Sequence, residues 1–335
     1  MINNVDAIAL LNKFIKTDKI SNNVKISEQK GGLFNDVLKV EDEYKSWYLK
    51  KYLEQSTSKI FSPPKISPEI RSQLAYFVQK ECYHLNKDIK TVPDLFIDVD
   101  ENILIIEGVH HPITMIDLIS QNSFKIEHIE LISKTIARLH AGFSGNSEIC
   151  NDPIYRNQEF RDFKLKLQYQ NMAEQLEEKC SNLIYHLLST YKSQYFTVLH
   201  GDLNSRNIVV NSITQEVGII DFEQSHVGNP IYDITYFLCE VYISCLNFEN
   251  SELLFKSVEA FLKTYMEYNP DFEIINYLEE MKMHLAVQII YRFLGPSRDS
   301  WTFYINENRK NDIINYAKEM LVTKNEKHID IFFQK

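Results

Sequence analysis

Three polar side chains in the second half of the chain have the types and spacing that phosphoryl transfer requires. Asp202 and Asn207 stand five residues apart, and Asp221 follows two short apolar runs, 208–210 and 217–220. A polar turn joins these runs, so they predict a β-hairpin that brings Asn207 and Asp221 together at its open end. An amide oxygen beside a carboxylate suits a hard divalent cation such as Mg²⁺. Asp202, in the preceding loop, could then orient a hydroxyl nucleophile.

The elements expected to position these residues fall into two regions. Residues 1–107 contain short β-like runs with two helical patterns, whereas residues 108–335 are dominated by long helical patterns. Strands segregated from helices indicate the α+β fold class, in two lobes, and not a doubly wound sheet. The N-lobe strands are expected at 24–28, 36–40, 46–52, 94–99 and 103–107, with helices over 5–17 and 68–85. The C-lobe helices are expected at 126–141, 157–192, 231–247, 250–268, 272–294 and 308–322.

Composition excludes several classes of partner. The formal net charge of −10 arises in residues 221–280, which hold twelve acidic residues and two lysines. The chain therefore has no basic surface for a phosphate backbone, and we expect no nucleic-acid partner. No apolar run reaches the roughly 18 residues of a membrane helix, so we expect no membrane partner. Five cysteines, an odd count without a C-x-x-C pair, favour reduced thiols in the cytoplasm.

A wider motif surrounds the three polar residues. It reads His200-Gly201-Asp202-x4-Asn207, then the hairpin, then Ile220-Asp221-Phe222. This motif resembles that of the aminoglycoside phosphotransferase and choline kinase family, and Gly228-x4-Asp233 is similar to a further family segment. The resemblance implies a two-lobed protein-kinase-like fold, with a small antiparallel-sheet N-lobe and a larger, mainly helical C-lobe. It also implies that ATP and Mg²⁺ are used, that His200 braces the catalytic loop and that Asp233 holds this loop by its backbone.

The resemblance extends to weaker motifs in the N-lobe. Gly31 and Gly32 lie between the first two predicted strands, where the family has a turn that covers the nucleotide phosphates. A plain hairpin is the alternative interpretation of this glycine pair. Trp47-Tyr48-Leu49-Lys50 has the form of the strand that supplies the nucleotide lysine. Its register favours Lys50 over Lys51, because neighbouring residues of a strand face opposite sides.

The nucleotide lysine needs a carboxylate to hold it. Glu81, on the helix over 68–85, matches the family position, and Glu69 is the competing carboxylate. Glu107 and Val109 would form the hinge whose backbone groups meet the adenine. The adjacent pair of histidines, 110 and 111, is not expected to bind a metal, because neighbouring histidines rarely face one ion without further ligands.

The expected acceptor site rests on three polar residues. Glu223 and Glu240 lie in segments that look more like choline and ethanolamine kinases than antibiotic kinases. Those enzymes have a glutamate at the position of Glu240, near the ammonium group of the substrate. The resemblance thus implies that Asn204, Glu223 and Glu240 contact a small cationic alcohol. A salt-bridged Glu240 is the alternative, and the late helix over 272–294 lacks the tryptophans that surround choline, so an amino sugar or an aminoglycoside stays open.

Two other functions are consistent with the same residues. One is an antibiotic kinase with this apparatus and an acidic pocket. The other is a nucleotide-binding pseudokinase that acts through partner contacts, although intact Asp202, Asn207, Asp221 and Lys50 favour an enzyme. A protein kinase is disfavoured, because only twelve residues separate Asp221 from Asp233 and leave no room for an activation segment. The choice between ATP and GTP and the oligomeric state stay open.

Overall fold

The computed structural model describes residues 4–14, 24–29, 35–55, 64, 66–88, 95–145, 147–156 and 158–323. Within them the predicted α+β class is confirmed, because an antiparallel sheet forms the amino-terminal part and helices dominate the remainder. Gly31 and Gly32, the predicted phosphate-covering turn, lie outside the described residues. Among the residues that are described, no helix combines the length and the apolar character needed to span a bilayer.

Five strands form the amino-terminal sheet in the spatial order β1-β2-β3-β5-β4, and all neighbours are antiparallel. They are β1 Lys25–Gln29, β2 Asn35–Glu41, β3 Ser46–Tyr52, β4 Leu95–Asp98 and β5 Ile103–Glu107. Each bound lies within one residue of its prediction. The alternation and turn signals of this region therefore determine its strands without tertiary information.

The side chains of β3 alternate between the two faces of the sheet. Trp47 and Leu49 are buried in an apolar cluster that includes residues of α1, Asn4–Phe14. Lys50 and Tyr52 occupy the alternate positions, and Tyr52 belongs to the main core shared with the helices. The Lys50 ammonium lies 5.1 Å from the centroid of the Tyr52 ring. The register thus directs Lys50 towards the helical part of the protein.

Helix α2, Pro68–Leu85, begins where the sequence predicts. The Ser67 side chain caps it by accepting a hydrogen bond from the backbone N–H of Ile70 at 3.2 Å. Its buried stripe packs in the main core and comprises Leu74, Ala75, Val78 and Cys82. Arg71 is buried on the same stripe, so its guanidinium faces the interior of the protein.

Helices make up most of the remainder. They are α3 Met115–Ser120, α4 Ile126–Phe143, α5 Ser147–Asn151, α6 Gln158–Leu165, α7 Asn171–Ala173, α8 Glu178–Lys192, α9 Ile231–Asn247, α10 Ser251–Tyr268, α11 Leu278–Leu294, α12 Arg298–Trp301 and α13 Glu307–Val322. Helix α9 is buried over residues 231–245 and lies at the centre of this part. Most of its residues are apolar, as expected of a helix that is buried on all sides, and its bounds match the prediction.

The prediction of one continuous helix over 157–192 is wrong. Helix α6 passes into a π-helical turn, Lys166–Gln170, and then into the short α7, before the chain leaves the helix ahead of α8. The turn buries Gln168, whose side-chain oxygen accepts hydrogen bonds from Tyr232 and Gln288. These partners lie 64 and 120 residues away in the sequence. The local helical pattern therefore contains no signal for the break.

The predicted hairpin is present. It pairs β8, Ile208–Asn211, with β9, Val217–Ile219, and β6, Pro112–Thr114, joins its other edge. A separate antiparallel pair consists of β7, Thr197–Leu199, and β10, His226–Gly228. The two small sheets hold the loop between β7 and β8 at both of its ends.

The buried His226 in β10 is expected to make the stability of the protein depend on pH. Burial lowers the pKa of His226 from 6.5 to about 4 in the folded protein. Below about pH 6.5 the unfolded chain binds a proton that the folded chain does not, so stability falls as the pH drops towards 4. His226 should account for about 3 kcal/mol of this loss.

Urea unfolding of His226→Gln and of the wild type between pH 4 and 7 measures the effect. We expect the variant to lose less stability on acidification, because glutamine does not titrate. His186→Gln, which changes an exposed histidine of α8, serves as the control. Equal pH slopes for His226→Gln and the wild type would show that His226 does not contribute.

Candidate active site

The loop between β7 and β8, residues 200–207, is anchored by the buried carboxylate of Asp233. The backbone N–H groups of His200 and Gly201 donate to its two oxygens at 2.6 and 3.0 Å. The His140 ring lies 3.1 Å from the same carboxylate. Burial raises the pKa of Asp233, but the hydrogen bonds from His140 and from the backbone of Gly201 act against burial, and the pKa lies below its usual value. Asp233 thus stays ionised where it holds this loop, which is the predicted catalytic loop.

Gly201 is required by the path of the catalytic loop. Its φ is +79°, in the left-handed region that side chains disfavour. A Cβ at this position would lie 2.1 Å from the backbone oxygen of Gln224. Any other residue type at position 201 would require the backbone of the loop or that of Gln224 to move.

The His200 ring connects the catalytic loop to the end of the hairpin. Its Nδ1 accepts from the backbone N–H of Asp202 at 3.2 Å, and its Nε2 lies 3.0 Å from the backbone oxygen of Ile220. The ring also packs against Phe222, with 4.5 Å between centroids. Burial lowers the pKa of His200, so the neutral ring braces Asp202 and the segment that carries Asp221.

Asp202 lies within a group of donors. Lys164 of α6 donates to its Oδ1 at 2.5 Å, while Asn207 and Gln224 donate to its Oδ2 at 3.2 and 3.3 Å. Burial raises the pKa of Asp202, but the Lys164 ammonium more than offsets this and lowers the pKa below its usual value. The carboxylate is therefore ionised and able to orient a hydroxyl group. Lys164 was not predictable from the sequence, because a single lysine in a helical pattern carries no signal of burial.

Asp221 and Lys50 form an ion pair between the hairpin and the sheet. The Lys50 ammonium lies 2.5 Å from Asp221 Oδ1 and 3.6 Å from Glu223 Oε1. Burial opposes the charge of Lys50, yet the two carboxylates raise its pKa overall. Asp221 has φ +73°, a strained conformation for a side-chain-bearing residue, which is common at functional sites. The ion pair places Asp221 next to Lys50, the lysine predicted to contact the nucleotide.

Glu223 is the second carboxylate at Lys50. It also accepts from Asn35 of β2 at 2.9 Å and from Arg71 of α2 at 3.3 Å. Burial raises the pKa of Glu223, and Lys50 and Arg71 act against that rise. All of these partners lie in the amino-terminal part, so Glu223 faces the sheet rather than an acceptor.

The structure corrects the prediction that Glu81 holds Lys50. Glu81 is about half exposed, and its Oε2 lies 3.8 Å from the His84 ring. With 3.6 residues per turn, ten residues rotate Glu81 by about 80° away from the stripe that carries Arg71. Helix α2 therefore presents an arginine to the site, and Glu223 supplies the carboxylate.

The structure also corrects the assignment of Glu240 as a free acceptor group. Arg292 of α11 donates to its Oε1 at 2.6 Å, and Ser205 donates its backbone N–H and hydroxyl to Oε2. Glu240 and Arg292 are both buried. The carboxylate is thus compensated and supports the catalytic loop. The sequence did contain a signal for this partner, because Arg292 is a charged residue near the end of the mostly apolar helix α11.

Asn204 is occupied within the same loop. Its side-chain oxygen accepts from the backbone N–H of Arg206 at 3.0 Å, and its amide nitrogen donates to the backbone oxygen of Asp202 at 3.1 Å. It caps the 3₁₀ turn over 205–207. These contacts give Asn204 a structural part in shaping the loop.

Glu107 and Val109 flank the end of β5. Glu107 pairs with Trp47 across the sheet, and the N–H of Gly108 donates to the Ser46 oxygen at 2.7 Å. A Cβ on Gly108 would lie 2.2 Å from the Ser46 hydroxyl. The segment after β5 is therefore held close to β3, and its adenine contact stays a prediction.

Asn207 and Asp221 fit the predicted magnesium site. The backbone N–H of Ile220 donates to the backbone oxygen of Asn207 at 2.9 Å, which brings Asn207 and the neighbouring Asp221 close together. Asn207 uses its amide nitrogen on Asp202, so its amide oxygen is the atom suited to a cation. The described residues contain no cluster of three or more His, Cys, Asp or Glu side chains arranged for a metal. Two oxygen ligands suit Mg²⁺, which normally completes its shell with phosphates and water.

Comparison with known proteins agrees with this geometry. Residues 127–268 match the model of the phosphotransferase enzyme family. This segment is similar to that family and makes up less than half of the chain. The match covers the catalytic loop, the hairpin and α9, and it confirms the resemblance and the enzyme class expected from the sequence, a small-molecule kinase. No curated protein matches the chain.

Comparison with solved structures bears on the fold of the chain. A Ralstonia eutropha protein assigned to the aminoglycoside phosphotransferases is 14% identical, with a TM-score of 0.50, and the match covers 96% of this chain and 97% of that one. The choline kinase of Streptococcus pneumoniae is 17% identical, with a TM-score of 0.48 and coverages of 94% and 97%. The ethanolamine kinase of Plasmodium vivax is 15% identical, with a TM-score of 0.46 and coverages of 95% and 88%. The first of these likenesses confirms the predicted kinase-like fold.

Replacing Lys50 is expected to impair nucleotide use. In Lys50→Met the carboxylates of Asp221 and Glu223 lose their shared cation and would repel the nucleotide phosphates. We expect kcat/KM for ATP to fall about a hundredfold, the usual size for loss of one charge-stabilising donor. Lys51→Met is the matched control, because Lys51 pairs at the surface with Glu101 at 3.2 Å. Comparable losses in both variants would contradict the assignment of Lys50.

Lys164 is expected to set the acidic limit of activity. Because the Lys164 ammonium lowers the pKa of Asp202, Lys164→Met should raise that pKa and shift the acid limb of kcat/KM to higher pH. Lys164→Arg keeps a cation and should leave the limb near its original position. A pH–rate profile with Mg-ATP measures both. An unshifted limb in Lys164→Met would mean that Asp202 does not govern it.

Proposed function

We propose that the protein transfers the γ-phosphate of ATP, in the presence of Mg²⁺, to a hydroxyl group of a small molecule. The observation that carries this proposal is the convergence of Asp202, Asn207, Asp221 and Lys50 around one loop. Asp202, kept ionised, would orient the hydroxyl and accept its proton. Mg²⁺, when bound, would neutralise phosphate charge next to Asn207 and Asp221.

The residues around these four would organise the site. Lys50 would contact the α- and β-phosphates, with Glu223 and Arg71 holding it in place of the predicted Glu81. Asp233 would keep the catalytic loop in position through its backbone. We assign the sheet side to an N-lobe of residues 1–107 and the rest to a C-lobe of residues 108–335.

The acceptor is assigned here only as an alcohol. The cationic acceptor expected from the sequence depended on an uncompensated Glu240, and Arg292 removes that support.

A cytoplasmic location is part of the proposal. It is supported by the five cysteines, which are all free thiols.

ADP release with Mg-ATP across a panel of alcohols tests the proposal. The panel holds choline, ethanolamine, amino sugars, aminoglycosides, homoserine, glycerate and sugar phosphates. We expect turnover of at least one acceptor, reduced at least a hundredfold in Asp202→Asn, which keeps the shape of the side chain without its charge. Nucleotide affinity should be unchanged in this variant.

The outcome separates an enzyme from a pseudokinase. Turnover that is equal in Asp202→Asn and the wild type would contradict the role of Asp202. Nucleotide binding without turnover of any acceptor would favour the nucleotide-binding pseudokinase. Turnover confined to aminoglycosides would favour the antibiotic kinase.

A further inference from the structure

Cationic side chains of the protein lie near Asp202, where the proposed function places the hydroxyl group of the acceptor molecule. Lys164 contacts the Asp202 carboxylate at 2.5 Å, and the charge of Arg292 also acts on it. Arg206 lies four residues beyond Asp202, in the 3₁₀ turn of the catalytic loop. Asp202 and Glu240 are the carboxylates that interact with these three cations. The group therefore carries a net positive charge.

The aromatic rings of this region are already in contact with these cations. Lys164 and Arg292 lie 5.2 and 4.3 Å from the centroid of the Tyr236 ring. Arg292 and Arg206 lie 4.3 and 4.4 Å from the centroid of the Trp301 ring. Ring faces attract ammonium groups only where they are available. An acceptor bearing an ammonium would meet like charges here instead of an aromatic cage.

Arg206 differs from the other two cations in its partners. Within the described part of the chain it forms no ion pair, and its guanidinium donates to the backbone oxygen of Ser300. Contact with Trp301 holds it in place, although the residue is exposed. Burial and the charge of Arg292 lower the pKa of Arg206, against the attraction of Glu240. A positioned guanidinium without a carboxylate partner is suited to bind an oxyanion through two parallel hydrogen bonds.

We propose that the acceptor alcohol carries an oxyanion, a carboxylate or a phosphate, which binds Arg206 beside Trp301. The inference rests on the proposed function, because it assigns the substrate class of that same site. The negative group would relieve the repulsion between Arg206 and Arg292. The hydroxyl of the acceptor would then lie near Asp202, which is four residues from Arg206 on the same loop.

Tryptophan fluorescence tests this anion site without requiring the true acceptor. The chain has two tryptophans, so Trp47→Phe leaves Trp301 as the only reporter, next to Arg206. Inorganic phosphate, malonate and tetramethylammonium are each titrated at constant ionic strength, with saturating Mg-ADP to fill the nucleotide site. The first two probes distinguish a phosphate from a carboxylate ligand, and the third represents a cationic one.

We expect a saturable change with phosphate or malonate and none with tetramethylammonium. Arg206→Gln in the same background should weaken the apparent affinity for the anion at least tenfold. Arg298→Gln is the matched control, because Arg298 is exposed in the neighbouring α12 and its Nε lies 3.5 Å from Asp299. This variant should bind the anion like its parent.

Three results would overturn the inference. They are a saturable response to tetramethylammonium alone, no saturable response to either anion, and an unchanged anion affinity in Arg206→Gln. None of them depends on catalysis. Failure of the anion site is therefore distinguishable from failure of the proposed phosphoryl transfer, which the Asp202→Asn assay reports.

Discussion

The buried carboxylate of Asp233 is the interaction on which the rest of the site depends. It accepts the backbone N–H groups of His200 and Gly201, two donors that the fold would otherwise bury without partners. The path of the catalytic loop follows from this anchor, and so does the requirement for glycine at position 201. The neutral ring of His200 then holds Asp202 and the end of the hairpin in place, because it contacts the backbone of both. A single buried charge thus determines where the candidate catalytic residues of this loop lie.

Two networks of ion pairs meet at this loop, one formed with the sheet and helix α2 and the other with helix α11. On the sheet side, Lys50 and Arg71 share Glu223, and Lys50 also reaches Asp221. These contacts join strands, helix α2 and the hairpin, so the face proposed to bind the nucleotide is assembled from both parts of the protein. On the other side, Arg292 neutralises Glu240 and leaves cations as the dominant charge. The two faces differ in charge balance because two cations interact with two carboxylates on the sheet side, whereas three cations interact with two carboxylates on the other side.

Much of the fold follows from local patterns. The strands of the sheet, the start of α2 and the hairpin were predictable, since alternation, capping residues and turn residues act over a few positions. The break in the predicted helix over 157–192 was not predictable. It depends on partners of Gln168 that lie far away in the sequence and have no trace in the local pattern.

The sequence by itself determined the residue types of the site and the separations within one loop and one hairpin. Asp202, Asn207 and Asp221 lie within 20 residues, so short-range geometry brings them together. Only the tertiary structure decided which charges neutralise one another. Lys164 lies 38 residues from Asp202, and Arg292 lies 52 residues from Glu240. The counterion of a buried charge is the opposite charge that tertiary packing brings next to it, and the pattern of the sequence does not show which residue that is.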